Sequence, residues 1–284
     1  MDELVPEAGE GVSAVERRRL YGSIIVNALP PYSAARADVL RLPGGRTERD
    51  ELAVEEPLEI RLNGEPVAVT MRTPGHDEEL ALGFLLSEGV RPRDASLPDD
   101  LAANTVEVAV EGFDPEPLRR NFYTTSSCGV CGKGALEAVA VEAPRVKSGL
   151  RVPATVVAGL PDRLREAQPT FAATGGLHAT GLFAADGALL VVREDVGRHN
   201  AFDKVVGRAF LDGLLPLADK LVCVSGRLSF ELVQKAAVAG APVVVAVGAP
   251  STLAVELALD RGITLCGFVR DGRVNVYSEP WRIT

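Results

Sequence analysis

The fold is decided by residues 221–269, LVCVSGRLSFELVQKAAVAGAPVVVAVGAPSTLAVELALDRGITLCGFV, in which apolar runs alternate with segments of helical pattern. The three continuously apolar runs are Leu221–Val224, Val243–Val247 and Ile263–Val269. Strands of this kind belong to sheets whose two faces are both covered by helices. The helices that the pattern predicts span residues 201–210, 230–239 and 253–259. We therefore expect a three-layer α/β domain.

Two hairpins are predicted outside this region. In residues 58–71, apolar and polar side chains alternate on either side of Asn63-Gly64, a dipeptide typical of tight hairpin turns. The side chains expected on the buried face are Leu58, Ile60, Leu62, Val67, Val69 and Met71. A second hairpin is predicted around Asp186-Gly187, between the runs 182–184 and 189–192.

The first half of the chain reads as a smaller, β-rich α+β domain. An acidic first turn at Asp77 precedes the apolar run Leu80–Leu86, which predicts a buried helix that ends at Gly89. A strand is predicted over Val106–Val110, and prolines interrupt regular structure soon after it. We expect a loose leader over residues 1–20, a β-rich domain over 21–118 and the α/β domain over 119–284.

Composition excludes several classes of function. The formal net charge of −9 works against general binding to nucleic acid or anionic lipid, because the protein's field repels polyanions. The longest apolar stretch, Ala236–Pro250, is shorter than a membrane span and is interrupted by glycine and proline. The first ten residues are acidic and lack the features of a secretory signal, so we expect a cytoplasmic protein with no membrane segment.

A cysteine loop is the first candidate for chemistry. Residues 124–134, TTSSCGVCGKG, are small and polar and precede a predicted helix. A helix N-terminus and the nearby Lys133 both favour the thiolate forms of Cys128 and Cys131, and a thiolate can accept sulfane sulfur. The Cys-x-x-Cys spacing also lets one sulfur attack the other, so that a persulfide could be discharged as a transient disulfide forms.

A zinc site is the main rival for this loop. Structural zinc needs four ligands, and the chain has no second Cys-x-x-Cys. Cys223 and Cys266 lie in apolar strands and are expected to be buried small side chains, so we assign no metal ligand. His76-Asp77-Glu78 followed by Cys-x-x-Cys imitates the pattern of zinc nucleobase deaminases, but Ser127 stands where that pattern has proline.

Polar, glycine-containing loops form a second candidate site. The helix predicted near Asn200 offers free backbone N–H groups to a phosphate. Two more loops, at Ser225-Gly226-Arg227 and Gly248–Thr252, follow buried strands, where ligands of open α/β sheets bind. The residues expected to bind or attract an anion are Arg193, Arg198, His199, Lys204, His178 and Arg227. A phosphorylated ligand fits this composition.

Several motifs, in a fixed order, carry a family resemblance. They are 73-TPG-75, 80-LALGFL-85, 127-SCGVCG-132, 174-TGGLH-178, 194-EDVGRHNA-201 with Asp203-Lys204, and 225-SGR-227. Together they resemble the formate dehydrogenase accessory sulfurtransferase family over roughly residues 20–280. The resemblance implies a cytidine-deaminase-like α/β domain without zinc chemistry, a smaller N-terminal β-rich domain and a homodimer.

The resemblance also implies an activity. Sulfur would arrive from a cysteine desulfurase as a persulfide and pass to molybdenum (or tungsten) bis(molybdopterin guanine dinucleotide), a bound substrate that formate dehydrogenase then receives. Cys128 takes the persulfide role, with Cys131 as its helper. The residues that correspond to the family's guanine contact are Phe268, Val269, Arg270, Asp271, Gly272 and Arg273. The alternatives left open are a non-catalytic cofactor chaperone and a zinc deaminase.

Overall fold

The structure is a computed structural model that describes residues 33–90, 104–110 and 141–284. The predicted leader, the cysteine loop and the predicted domain boundary near residue 118 lie outside these residues, so those boundaries stay predictions. The described strands are β1 Ala34–Arg41, β2 Arg46–Ala53, β3 Glu56–Leu62, β4 Glu65–Arg72, β5 Thr105–Val108, β6 His178–Phe183, β7 Leu189–Asp195, β8 Leu221–Val224, β9 Val243–Ala246, β10 Thr264–Arg270 and β11 Arg273–Ser278. The described helices are α1 Asp77–Ser87, α2 Ala154–Glu166, α3 Pro169–Thr174, α4 Arg198–Leu211, α5 Phe230–Ala239, α6 Thr252–Arg261 and a final 3₁₀ turn, Pro280–Arg282.

A six-stranded mixed sheet organises the second half of the chain, in the order β11-β10-β9-β8-β6-β7. The central strands β8, β9 and β10 run parallel, and antiparallel hairpins extend the sheet at both edges. This confirms the three apolar strands and the hairpin around Asp186-Gly187. The chain is a mixed α/β protein with a β-rich N-terminal part.

Helices cover both faces of this sheet, but the three predicted helices cover only one of them. α4, α5 and α6 all pack on one face, against side chains such as Val222 and Val244. The opposite face, with Leu221 and Val243, is covered by α2 through Val157, Leu160 and Leu164. The expectation that the three predicted helices cover both faces is therefore wrong. α2 was not predicted, because Gly159 and Pro161, both unfavourable inside helices, interrupt its pattern.

The N-terminal sheet has the order β4-β3-β5 and packs one face against α1. The predicted hairpin and the buried helix are both confirmed, and Leu58, Ile60 and Leu62 are fully buried. Val69 and Met71, however, are exposed to solvent, which corrects the prediction for β4. The pairing of β4 with β3 shifts register beside Pro66, so the alternation of buried and exposed side chains is reversed after Val67. Proline has no N–H to donate to the neighbouring strand, and a bulge in an edge strand accommodates it.

The strands β1 and β2 form a separate two-stranded antiparallel sheet, in register from Ala34 opposite Ala53 to Arg41 opposite Arg46. Both strands carry charged residues that pair across the hairpin, as Arg41 does with Glu48 and Asp50. The base of this hairpin packs near α3, where the backbone of Gly176 approaches the side chain of Ala53. The sequence analysis had assigned no element here.

The two halves of the molecule meet where α1 crosses α4. At the crossing, a Cβ on Gly83 would overlap the backbone carbonyl of Asp203, and a Cβ on Gly207 would overlap that of Glu79. Only glycine allows backbones to approach so closely. The short separation brings polar side chains of one half within reach of the other, and Ser87 Oγ donates to Asp203 Oδ1 at 2.9 Å.

A buried ion pair spans the same interface. Arg193 of β7 binds the Glu79 carboxylate of α1 with both Nε and Nη2, at 2.5 and 2.8 Å. Burial alone raises the pKa of the Glu79 carboxyl, but hydrogen bonds from Arg193 and His76 outweigh it and bring the pKa to about 2. Glu79 is therefore ionised at neutral pH, and its charge depends on the pairing across the interface.

Across the described part of the chain, none of the helices combines the length and the apolar composition that crossing a membrane requires.

The pKa of Glu79 predicts a pH-dependent contribution to stability. A carboxyl whose pKa falls from 4.5 to about 2 on folding stabilises the fold above pH 4.5, and this stabilisation is lost as the pH falls toward 2. Replacing Glu79 by glutamine should lower the free energy of unfolding at pH 7 by about 3 kcal/mol. Urea denaturation at pH 7, 5, 4 and 3 should show a difference from the wild type that narrows below pH 4.5.

The matched control is Glu166→Gln, which removes an exposed carboxylate of α2 and should change stability little. A Glu79→Gln difference that stays constant down to pH 3 would contradict this account.

Candidate functional site

The ends of three parallel strands meet at one edge of the large sheet. Gly226 follows β8, Gly248 follows β9, and Phe268 lies near the end of β10. Gly248 N donates to Gly226 O at 3.1 Å, and Phe268 N donates to Gly248 O at 3.0 Å. The start of β6 joins them, since Ala179 N donates to Ser225 Oγ at 2.9 Å. We call the residues gathered here the strand-end site: His178, Arg198, Gly226, Arg227, Gly248 and Phe268. The structure thus brings together the Ser225 and Gly248 loops, each of which was predicted to follow a buried strand.

Glycine is required in these loops because neighbouring backbones pass so close. A Cβ on Gly248 would lie 2.9 Å from Gly226 O and 3.0 Å from Cγ of Arg227. A Cβ on Gly267 would lie 2.8 Å from Cδ of Pro250. The glycines therefore let the loops that follow β8 and β9 pack directly against each other and against the end of β10.

Phe268 has an unusual backbone conformation. Its φ of 52° is in the left-handed region, which side chains other than glycine rarely adopt. The conformation coincides with a register shift between Gly267 and Arg270, where β10 departs from regular pairing with β11. The ring is 40% exposed although it is aromatic. Strained residues of this kind cluster at binding sites.

The rest of the predicted guanine-contact segment divides in two. Val269 points inward and is fully buried, so only its backbone is available to a ligand. Arg270 and Arg273 are paired at the end of the hairpin, with Asp271 and Gly272 between them in left-handed conformations, and all four residues are exposed. Two arginines thus flank an exposed turn on the strand that carries Phe268.

His178 and Arg198 converge over Gly226. A Cβ placed on Gly226 would lie 3.5 Å from His178 Nδ1 and 3.9 Å from Arg198 Cδ. Burial lowers the pKa of His178, and the charges of Arg198 and His199 lower it further, so that the imidazole is neutral at pH 7. The Nε of Arg198 is buried and has no hydrogen-bond acceptor among the described residues. A buried donor of this kind needs an acceptor, which an anionic ligand would supply.

Arg198 and His199 occupy the first turn of α4, where backbone N–H groups lack partners within the helix and favour anions. His199 is already engaged, because its Nε2 lies 2.9 Å from Glu231 Oε2 and 3.2 Å from Ser229 Oγ. Its hydrogen bond lowers the pKa of Glu231. The sequence analysis missed Ser229 and Glu231, although a serine followed by an acidic residue is a recognisable start of a helix.

Two cations that were expected to attract the anion point elsewhere. Arg193 binds Glu79 in the interface described above. Lys204 is 1% exposed, and its Nζ lies 2.6 Å from Asp195 Oδ2 and 2.9 Å from Thr73 O. Their expected contribution to an anion site is therefore wrong, because buried charges must be paired and both found partners inside the protein. The positive charge of the strand-end site comes from Arg198 and Arg227.

The four cysteines fall into two classes. Cys128 and Cys131 lie outside the described residues. Cys223 and Cys266 are fully buried in β8 and β10, which confirms the prediction that they are core side chains. Burial raises the pKa of Cys266 to about 12 and that of Cys223 still further. Neither of these thiols ionises at neutral pH.

Within residues 33–90, 104–110 and 141–284, no group of three histidine, cysteine, aspartate or glutamate side chains is placed to hold a metal ion. His76, the first residue of the deaminase-like pattern, lies 3.6 Å from Glu79, next to the positive charge of Arg193. A neighbouring guanidinium opposes the binding of a cation at His76.

Comparison with known proteins identifies the family. A model of the FdhD/NarQ family matches residues 53–284, a range that includes the whole strand-end site and the cysteine loop. The chain belongs to the FdhD/NarQ family. Among its relatives, the sulfur carrier protein FdhD of Streptomyces avermitilis is 50% identical over 267 residues, which cover 87% of this chain and 95% of the relative.

Two further proteins extend the comparison within the FdhD/NarQ family. The sulfur carrier protein FdhD of Mycobacterium tuberculosis is 50% identical over 276 residues, covering 89% of this chain and 99% of the relative. A crystal structure described as that of a formate dehydrogenase accessory protein from Desulfotalea psychrophila matches with a TM-score of 0.68. It is 27% identical, and the match covers 88% of this chain and 98% of that one.

Proposed function

We propose that this protein is a sulfur carrier that receives persulfide sulfur from a cysteine desulfurase and passes it to the bis(molybdopterin guanine dinucleotide) cofactor of molybdenum or tungsten, which formate dehydrogenase then receives. The observation that carries the proposal is identity of about 50% to proteins named sulfur carrier protein FdhD, over almost the full length of both chains. The name of the structural relative supports formate dehydrogenase as the client. The proposed site of action is the cytoplasm.

The distribution of thiols supports Cys128 as the sulfur acceptor. A carrier needs a thiolate, and the buried Cys223 and Cys266 are held in the thiol form. Cys128 and Cys131 are the two that remain, and both precede Lys133 in a glycine-rich segment. In the proposed loading step the Cys128 thiolate attacks the outer sulfur of the desulfurase persulfide, and the desulfurase thiolate leaves.

Cys131 is the proposed helper in discharge. Its thiolate can attack the inner sulfur of the Cys128 persulfide, forming a disulfide between the two cysteines and releasing hydrosulfide to the acceptor. A thiol reductant must then restore both cysteines. The spacing of two residues between them suits this exchange, because it keeps both sulfurs close together along the chain.

The position of Val141, ten residues after Cys131, supports a role of the cysteine segment near the strand-end site. Val141 N donates to Gln234 Oε1 at 3.0 Å, and Gln234 lies one turn beyond Glu231 at the start of α5. Cys131 is ten residues before Val141, and a chain of ten residues spans at most about 35 Å. The strand ends are within this reach.

Nucleotide binding is proposed at the strand-end site. The exposed ring of Phe268 offers a stacking surface for guanine, and stacking on an aromatic ring is favourable for any base. Arg198, whose Nε has no acceptor in the described part of the chain, lies in the first turn of α4 and suits the phosphates, and Arg227 adds a second charge. His178 and His199 border this position, and the turn 270–273 lies on the outer side of Phe268.

The alternatives make distinct predictions. A non-catalytic chaperone would use the strand-end site alone, so a Cys128→Ala, Cys131→Ala double variant would still activate formate dehydrogenase. A zinc deaminase would contain stoichiometric zinc, which elemental analysis measures.

The larger domain is proposed to be cytidine-deaminase-like, a relationship that its mixed sheet between two helical layers accommodates.

Sulfur transfer predicts a labelled residue. Incubation with a cysteine desulfurase and ³⁵S-cysteine should place label on Cys128 that a reductant removes, because Cys223 and Cys266 are buried and stay in the thiol form. The Cys128→Ala variant should lose the label, whereas Cys131→Ala should retain it and discharge it more slowly. Mass spectrometry of the tryptic peptide locates the added sulfur. Equal labelling of the wild type and Cys128→Ala would refute the assignment.

If guanine stacks on Phe268, removing the ring should lower the affinity for GDP, which is the simplest probe of the proposed site. Isothermal titration calorimetry should show that Phe268→Ala weakens GDP binding about tenfold or more, since one stacked base contributes about 1–3 kcal/mol. Trp281→Ala is the matched control, because Trp281 is an aromatic residue of similar exposure, 43%, that lies in the final 3₁₀ turn. The proposed stacking role of Phe268 fails if both variants bind GDP as the wild type does.

A homodimer is also proposed, on the strength of the family resemblance. Multi-angle light scattering after size exclusion should give twice the mass of one chain at micromolar concentration. A mass of one chain that persists at the highest attainable concentration would count against it.

A further inference from the structure

The motif 194-EDVGRHNA-201 with Lys204 divides into two sets of side chains that face different parts of the protein. Arg198 and His199 lie at the strand-end site, as described above. Asp195, Asn200 and Lys204 are buried and point toward the N-terminal part of the chain. The proposed function uses the first set and leaves the second without a role.

Asp195 is the centre of the buried set. Its side chain is 0% exposed, and its Oδ1 accepts from Gly197 N at 2.8 Å and from Asn200 Nδ2 at 3.0 Å. Its Oδ2 accepts from Thr73 N at 3.1 Å and lies 2.6 Å from Lys204 Nζ. The four donors satisfy both oxygens, which removes the penalty for burying the charge.

These contacts hold the turn that leads into α4. Gly197 is the residue before the first helical residue, so its N–H bond to Asp195 fixes the backbone from which Arg198 projects. Asn200 Nδ2 also donates to Met71 O at 2.7 Å, and Val196 N donates to Thr73 Oγ1 at 3.2 Å. The turn is thereby attached to the end of β4 in the other half of the molecule.

We propose that Asp195 is a positioning residue for the anion-binding end of the strand-end site, acting through Gly197 and Asn200 on the first turn of α4. The inference rests on the proposed function, because it assigns the buried half of the motif to the geometry of nucleotide binding. Lys204 offsets the negative charge that Asp195 places behind the anion site. The N-terminal part of the chain supports the site from behind through Met71 and Thr73.

The same helix provides a matched control in Asp203. This carboxylate is also buried and also paired, with both oxygens 2.8 Å from Lys235 Nζ and with Ser87 Oγ at 2.9 Å from Oδ1. It lies more than a turn beyond Arg198 and holds α1 and α5 instead of the turn before α4. Loss of either carboxylate leaves a buried lysine without its partner, but only Asp195 fixes the first turn.

The experiment compares Asp195→Asn with Asp203→Asn. Both should lower the melting temperature, since both break a buried ion pair. At a temperature well below both transitions, calorimetry should show GDP bound about tenfold more weakly by Asp195→Asn, because a displaced Arg198 loses a charge-assisted hydrogen bond to phosphate. Asp203→Asn should bind GDP within about twofold of the wild type, because its site is undisturbed. Equal affinity of the two variants would overturn the proposal.

A second readout keeps the test independent of the ligand. Hydrogen exchange of the backbone amides of residues 196–200 should accelerate in Asp195→Asn and remain unchanged in Asp203→Asn. If the wild type does not bind GDP, the proposed nucleotide site fails, whereas the exchange comparison still decides whether Asp195 holds the turn. Should Asp195→Asn not fold, Asn200→Ala is the substitute: it removes the hydrogen bonds of Asn200 to Asp195 and Met71 but leaves the ion pair intact, and it should weaken GDP binding several-fold. Unchanged affinity in that variant would count against the proposal.

Discussion

The crossing of α1 and α4 is the constraint on which the rest of the structure depends. Gly83 and Gly207 let two helical backbones touch, and a methyl group at either position would separate the halves of the molecule. The ion pair of Glu79 with Arg193 and the hydrogen bond from Ser87 to Asp203 form only at that separation. The crossing is also what holds Thr73 against Asp195, and through Asp195 it connects the N-terminal sheet with the first turn of α4.

Regular secondary structure was predictable wherever one physical signal was sufficient. The strands β8, β9 and β10 were predicted to within a residue or two because a fully buried strand needs an unbroken apolar run, and α5 was predicted with its observed bounds. α2 was missed because Pro161 and Gly159 weaken its intrinsic preference, and packing against the sheet overrides them. The hairpin β1–β2 was missed because charged side chains on both strands conceal any two-residue alternation.

The location of the candidate site was predictable from the sequence, but the set of residues that line it was not. Loops after buried strands had to meet at one edge of the sheet, and His178, Arg198 and Phe268 do meet there. Charge alone did not reveal that Arg193 and Lys204 face the other way, because their partners Glu79 and Asp195 become neighbours only through the tertiary fold. Nothing local in the sequence marks the left-handed conformation of Phe268, which follows from the irregular pairing of β10 with β11.

The two cysteines in the sheet have a consequence for redox behaviour. Cys223 and Cys266 are both opposite Val245, on the strands that flank β9, so that two strand spacings of about 4.8 Å separate them. Cysteines that are more than about 7 Å apart cannot be bridged without backbone movement. Cys223 and Cys266 therefore cannot form a disulfide with each other in the native fold. An oxidation equivalent or a labile sulfur atom that arrives at residues 128–131 cannot migrate inward by exchange unless the sheet opens.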